Sequence, residues 1–549
     1  MSDTASKQET LVGTIPDDVE NQIQEVSKRP KYYNIIIASL CSCVFIDTVN
    51  TINFAAALPA VATDLNATTT QAFWCGTVLL FAQCVAQPIY GALAESFGRK
   101  SCMLTALAIF TLGSLLAALA QTIEWLIAVR AVQGLGGGGI NVCVNLIVVD
   151  LSSRSERAKL SGIVALAGAL GLAAGVLSGA ATTGVTWRLI FYINLPIACI
   201  PFVLLLLFLP RSNDKINTLS IAKSMDWTGI VILSGSVAAI LFAIISGGTQ
   251  FAWSSANIIS PLVIGVVGIF GFGLFEEQVA GKYGFGQAFI PLRLFASRTA
   301  AFGYLMSFLQ AVILWTISYY FQLYMHISDS LSLLESSIHI LPSTLIVPPS
   351  AAIAGILMSK FNHFKYFNLA AFVLIAAGCA ALSTLRADAS TAKMIGFQIL
   401  YSIGGGILFP GRLVAVQMAQ REMSEDGKDD GADVRMATSL VSLTTSMGEA
   451  FGIAMGSTTL QGAWNPLVRK AVADGRIPEM FILSGALAAR SAELIKDFPE
   501  PVAQVYREIA ALSIARIWYI CVGMAGLGII AAILSKNIAF NKAEESGEK

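Results

Sequence analysis

The residues best placed to do chemistry sit inside long apolar runs. One run reads Arg130-Ala-Val-Gln-Gly-Leu-Gly-Gly-Gly-Gly-Ile-Asn141. At helical spacing Arg130, Gln133, Gly134, Gly137, Gly138 and Asn141 share one face. An arginine at membrane depth is costly unless it meets water or a partner, so this stripe is expected to line a cavity rather than lipid. Asp47 lies near the middle of an earlier run, with Asn50 and Asn53 following on the same face. A carboxylate so placed can take up and release a proton; the alternative is a hydrogen-bonded structural Asp. In the second half Arg412 follows Gly404-Gly-Gly406 and Pro410 in what reads as a broken helix, and Glu449 lies between Gly448 and Gly452. Arg130 with Asp47, or Arg412 with Glu449, would lessen the cost of burying either charge alone. Asp47 and Glu449 are therefore proton-coupling candidates, and Arg130 joins them through the resemblance given below. Asn50, Gln133, Asn141, Gln322 and Arg412 are the candidates for a substrate cavity. Gln322 belongs to Tyr319-Tyr-Phe-Gln-Leu-Tyr324, whose aromatics could equally pack or sit at an interface.

Several other chemistries fall away. Gly134-x-Gly136-x-x-Gly139 fits a dinucleotide fingerprint, but no strand–turn–helix surrounds it. Gly98-Arg-Lys-Ser101 has the wrong spacing for a nucleotide-binding loop, so no ATP is expected and any pumping must draw on an ion gradient. His326, His339 and His363 have no metal-ligand spacing, and the nine cysteines form no Cys-x-x-Cys pair, so neither metal nor cofactor is expected. The cysteines read as small buried hydrophobes. Zero net charge gives no case for nucleic acid. No nucleophile with a base supports an enzyme, and no soluble signalling domain supports a membrane sensor.

The chain is 549 residues, 55% hydrophobic and 13% charged, against about 25% charged in soluble domains. So much apolar surface implies lipid as a partner. Spans are expected at roughly 35–58, 72–92, 102–120, 123–149, 160–182, 189–209, 227–246, 258–275, 301–325, 338–358, 367–385, 394–418, 436–461 and 514–534, about fourteen, with thirteen possible. The expected class is an all-α membrane protein. Its parts are a tail (1–33), a six-helix bundle (34–210), a two-helix insert with flanking loops (211–300), a second six-helix bundle (301–535) and a tail (536–549). Paired six-helix halves suggest duplication, although no internal repeat is visible in the sequence. Alternate connections carry Arg99/Lys100, Arg154/Arg157/Lys159, Arg211/Lys215/Lys223, Lys282/Arg293/Arg298, Lys360/Lys365 and Arg421/Lys428/Arg435, which puts both termini in the cytoplasm. Asn66-Ala-Thr68, a glycosylation pattern at Asn66, then falls outside. Residues 464–513 read as a long extracellular loop with two amphipathic surface helices.

Gly91-Ala-Leu-Ala-Glu-Ser-Phe-Gly-Arg-Lys100 is a short charged turn between two spans. Gly91 would allow close helix approach, Gly98 a tight turn, and Glu95 could accept hydrogen bonds from a helix end. Arg99 and Lys100 would hold the hairpin in the cytoplasm.

These stretches together resemble the major facilitator superfamily, in its fungal-type fourteen-span drug:proton antiporter branch. Gly91–Lys100 looks like the signature loop between spans two and three, with Glu95 and Ser96 where relatives carry Asp and Arg. Arg130-x-x-Gln133-Gly134 is similar to the fourth-span motif whose Arg is implicated in proton transfer. Trp187-Arg-Leu-Ile-Phe-Tyr-Ile-Asn-Leu-Pro196, Asp226-Trp227-x-Gly229, Tyr320-Phe-Gln322 and Leu341-Pro342 also match in order, and the loop from Asn66 to Trp74 resembles fungal members. Departures are Gly175-Val176 and Ser178-Gly179 in the antiporter motif, Asn50 where relatives have Asp, Thr445 for Arg and Glu449 for Gly. The resemblance implies two bundles about a central cavity and a monomer that exports an amphipathic drug, toxin or metabolite against protons. Gly91, Glu95, Gly98, Arg99 and Lys100 would form the gating loop. Uptake of a nutrient or iron chelate, or vacuolar import of basic amino acids, are the alternatives; the membrane is the cell's, or else the vacuole's.

Overall fold

The computed structural model describes residues 32–151, 157–210, 227–247, 251–276, 292–328, 331–361, 363–387, 389–423 and 432–538. The long helices are α1 (Tyr33–Asp64), α2 (Thr69–Phe97), α3 (Arg99–Ala118), α4 (Ile123–Leu151), α5 (Arg157–Thr183), α6 (Leu189–Tyr192 continued by Asn194–Phe208) and α7 (Trp227–Ser246). They continue with α8 (Ala256–Phe275), α9 (Arg298–Ser328), α10 (Leu333–Phe361), α11 (Lys365–Leu382), α12 (Thr391–Met423), α13 (Ala432–Ala473) and α14 (Glu500–Leu534). Among the described residues, twelve helices are long and apolar enough to cross a membrane. Helices α5 and α13 stand where the fifth and thirteenth crossings were expected but fall outside that set. In α13 the cause is a run of Ser, Thr and Gly with Glu449, side chains suited to an interior seam rather than to lipid.

The packing is that of a duplicated unit. In the first half α1 packs on α5, α2 on α4, and α3 on α4 and α6. In the second half α9 packs on α13, α10 on α12, and α11 on α12 and α14. The halves meet by the reciprocal pairs α2 with α13 and α5 with α10. Matching residues do matching jobs. Lys100 Nζ donates to the carbonyls of Leu206 (2.8 Å) and Leu209 at the end of α6, and Lys365 Nζ donates to Ile533 O (2.6 Å) at the end of α14. Thirteen residues beyond each lysine, Gly113 and Gly378 let α3 and α11 approach Gln133 of α4 and Tyr401 of α12, so closely that a Cβ would sit 2.7 Å from backbone. Gly171, Gly175 and Gly179 of α5 lie against backbone of α1; Gly448, Gly452 and Gly456 of α13 repeat that spacing against α9. Carbon-thin seams of this kind let backbones touch where lipid supplies no hydrophobic drive.

Two expectations change here. The stretch 464–513 is mostly helical: α13 runs on to Ala473 and α14 starts at Glu500. The connection 474–499 holds short 3-10 turns (Glu479–Phe481, Gly485–Arg490, Ile495–Asp497) and one helical turn (Ser491–Leu494), not two amphipathic helices. It is pinned down by the buried Trp464, which donates to Leu483 O (3.0 Å), and by Tyr506, whose hydroxyl accepts from Leu483 N and donates to Phe481 O, both 2.8 Å. Helix α12 is also continuous, with Pro410 inside it, rather than broken.

Candidate functional site

Arg130 is fully buried, yet it does not line a cavity as its stripe implied. It lies inside the first half, where polar groups of α1, α2 and α4 replace water. Nε donates to Cys75 O (3.2 Å), and Nη1 to Gln133 Oε1 (3.0 Å) and Asn50 Oδ1 (3.4 Å). The guanidinium also faces the Phe54 ring at 4.6 Å and the Phe191 ring at 5.7 Å. Asn50 Oδ1 gathers two more donors, Gln133 Nε2 and Asn194 Nδ2, each at 2.9 Å. Gln133 Nε2 also reaches Ser114 Oγ at 2.6 Å. Asn50 and Gln133, expected in a substrate cavity, are thus fully buried structural partners of Arg130. Sequence reasoning missed Asn194 and Ser114, whose bonds connect elements far apart in the chain.

Asp47 sits one turn before Asn50 and is buried. It takes its hydrogen bonds from amides: Gln83 Nε2 to Oδ1 and Asn141 Nδ2 to Oδ2, both 2.9 Å. Arg130 acts on Asp47 only through space, so the expected direct pair does not form. Gly137 explains part of the geometry, since a Cβ there would sit 2.6 Å from Asp47 Oδ1. Neighbouring Gly134, Gly136, Gly138 and Gly139 press α4 onto α2 and α3. The glycines therefore serve packing, and the nucleotide fingerprint is a coincidence of spacing.

The second half holds a counterpart. Arg412 is buried, with Nη1 donating to Thr445 Oγ1 (2.5 Å) and its guanidinium over Phe409 at 5.4 Å. Glu449 is half-buried, approached by the Trp315 indole, and in the electrostatic field of both Arg412 and Asp47. Here too no direct ion pair forms; a threonine stands at the arginine instead. Trp315 was not singled out in the sequence. Gln322 is buried and donates to Ser337 Oγ at 2.8 Å. It shares a narrow pocket between the halves with Leu58, Pro59, Phe73, Tyr319 and His326.

The halves are sealed toward the end that carries 474–499. Phe73 stacks on Tyr320 with centroids 5.0 Å apart, Tyr319 donates to Thr51 O (3.4 Å), and Gln461 Nε2 to Thr70 Oγ1 (3.3 Å). Deeper, Gln87 Nε2 donates to Ser446 Oγ at 2.8 Å. Toward the other end lies the Gly91–Lys100 turn. Gly98 has φ +82°, the conformation glycine permits. Gly91 meets no neighbour: a Cβ there would find nothing within 4 Å, so close approach falls to the glycines of α4 instead. Arg99 pairs with Asp150 at the end of α4 (2.7 Å), a partner the sequence did not reveal. The Glu95 side chain lies outside the described set. Asn66 is exposed at the turn before α2, with φ +49°, and Thr68 forms the capping box of that helix with Gln71.

The Major Facilitator Superfamily model matches residues 40–227. The chain is 30% identical to "Efflux pump FUS6" of Gibberella fujikuroi over 94% of this chain and 91% of that protein. It is 32% identical to "MFS-type efflux pump MMF1" of Pseudozyma antarctica over 92% and 90%. Among solved structures, a bacterial homolog to the human lysosomal transporter Spinster superposes with TM-score 0.59 at 14% identity, covering 92% of this chain and 97% of that one. A D-xylose-proton symporter gives 0.56 at 14% identity, covering 86% and 99%. With relatives of this identity over nearly its whole length, and two packed halves of the same fold, the chain belongs to the major facilitator superfamily and is a multi-pass membrane transporter rather than an enzyme.

Proposed function

We propose that the chain is a monomeric exporter of amphipathic small molecules, driven by proton antiport across the cell membrane. The observation that carries this is the placement of one buried or half-buried carboxylate in each half, Asp47 and Glu449, each near a buried arginine, with Asp47 acting through space on Glu449. Relatives named as efflux pumps favour export over uptake. In this reading the chain crosses the bilayer fourteen times, in bundles 34–210 and 301–535 around the insert 211–300, with both termini in the cytoplasm. The end carrying 474–499 is outside, and Asn66 is available there for glycosylation. Protons bound at Asp47 and Glu449 favour one orientation of the halves and substrate the other, while Arg130 tunes the first carboxylate. Arg412, Gln322 and Asn141 contribute polar contacts to the substrate path, and Gly91–Lys100 latches the inner side through Arg99.

The test uses purified protein in liposomes with an imposed pH gradient and a fluorescent amphipathic cation. Wild type is expected to move dye against the proton gradient. Asp47→Asn and Glu449→Gln should abolish gradient-driven transport while leaving dye-for-dye exchange, which needs no net proton movement. Transport that ignores the gradient, or variants that keep full gradient-driven rates, would sink the reading.

A further inference from the structure

His326 is a buried histidine to which the transport reading gives no role. It lies near the end of α9 with a side chain 6% exposed. Nδ1 lies 2.8 Å from Leu331 O. A carbonyl can only accept, so Nδ1 carries the proton and neutral His326 presents a lone pair at Nε2. That Nε2 has no hydrogen-bond partner, and Glu493 Oε1 lies 3.9 Å away. Two acceptors thus face each other at the distance of an unmade bond. Protonation at Nε2 would convert the pair into a charge-assisted N–H···O contact.

Glu493 belongs to the 474–499 connection. That segment is fixed to the second half by Trp464, Tyr506 and the Asn465 Oδ1 bond from Gly485 N (2.7 Å). Its Gly485–Arg490 turn nevertheless rests on α1 and α2 of the first half as well as on α13. It therefore bridges the seam that must part if this end is to open. The charged groups at His326 are Glu493 and Lys496, both on the connection, and Lys496 Nζ donates to both Glu493 oxygens at 2.9 Å. The pocket wall from α1 and α2 (Leu58, Pro59, Phe73) brings no ionisable group, and Tyr319 is the titratable neighbour from α9 itself.

We infer that His326 and Glu493 form a proton-operated clasp that closes the 474–499 lid over the seam between the halves. A proton from the outer solution adds to Nε2, the Nδ1–H stays on Leu331 O, and the new N–H donates to Glu493. The lid is then drawn onto α9, and the closed seam is favoured. For an antiporter this has the useful sense: an arriving external proton promotes the return stroke. The inference takes from the proposed function only that this end faces outward.

The test needs no substrate, so it stands or falls apart from the export reading. Thr70→Cys at the seam and, as a freely exposed control, Val185→Cys are labelled from outside with an impermeant thiol reagent across about pH 5 to 8. The ratio of seam to control labelling should fall about fivefold toward acid, the size of a good partly exposed ion pair. His326→Gln and, independently, Glu493→Gln on the exposed lid should each flatten that dependence. A ratio that does not change with pH in the parent, or an acid-dependent fall that survives in Glu493→Gln, would overturn the clasp.

Discussion

Asn50→Leu should destabilise the first half by an amount that can be traced bond by bond. The substitution keeps similar volume but removes the oxygen that accepts from Arg130 Nη1, Gln133 Nε2 and Asn194 Nδ2. The three donors do not suffer equally. Arg130 Nη1 keeps Gln133 Oε1, and its bond to Asn50 is long at 3.4 Å; Gln133 Nε2 keeps Ser114 Oγ. Asn194 Nδ2 has no other partner given by the structure, so it bears the penalty of a buried unsatisfied donor, about 1–3 kcal/mol. Adding about 1 kcal/mol for the weakened Arg130 and Gln133 contacts brings the cost to about 2–4 kcal/mol. The assay is the thermal unfolding midpoint in detergent, where the drop should amount to several degrees. Asn50→Leu with Asn194→Leu removes donor and acceptor together, which is close to neutral for a matched pair. The double variant should therefore be more stable than the sum of the two single variants by about 1 kcal/mol or more. An unchanged midpoint in Asn50→Leu, or strict additivity in the double variant, would refute this account of how Arg130 is held.

Gly452→Ala should cost about 1–3 kcal/mol by overpacking, because its Cβ would meet Val312 O at 2.5 Å and Thr316 Oγ1 at 2.9 Å; Gly526→Ala, with open space around it, should unfold at the wild-type temperature. Arg99→Ala removes the ion pair with Asp150, and since both side chains are about a third or more exposed the loss should stay at or below about 1 kcal/mol. Its effect should instead appear as faster labelling of a cysteine placed at Gly91, and the exchanged pair Arg99→Asp with Asp150→Arg should restore the slower rate.

The class of fold was legible because apolar length reports bilayer crossing directly, and the family because several motifs fall in order. The duplication was legible only in the count of spans, not as a repeat of residues. What the halves share is a lysine at the start of α3 and α11, the glycine thirteen residues later, and the four-residue glycine spacing of α5 and α13. Backbone contact needs only the missing side chain, so the positions between drift and the repeat sinks below what sequence alone can display. The site was half legible. Arg130, Asp47 and Glu449 stand out as charges in apolar runs, and the structure does bury or half-bury all three. The groups around them are amides and hydroxyls, Gln83 on Asp47, Ser114 on Gln133, Asn194 on Asn50 and Thr445 on Arg412, whose chemistry is too common to mark them before the helices are assembled. Attraction between opposite charges is the simplest remedy for burial, but hydrogen bonds to neutral groups also offset it and leave each charge free to respond.

Helices α7 and α8 pack mainly on each other, and among the described residues α7 also touches α13 and α2, one from each half. Its last turn is tied to the second half where Thr458 Oγ1 donates to Ile244 O. Much of α8 faces outward, with Ile264, Val267 and Phe270 at 62–72% exposure. Any rocking of one half against the other must then swing this pair sideways like a paddle through the acyl chains. The viscosity and thickness of the surrounding membrane thereby enter the energetics of each stroke, so the same polypeptide should cycle at different speeds in thin and thick bilayers.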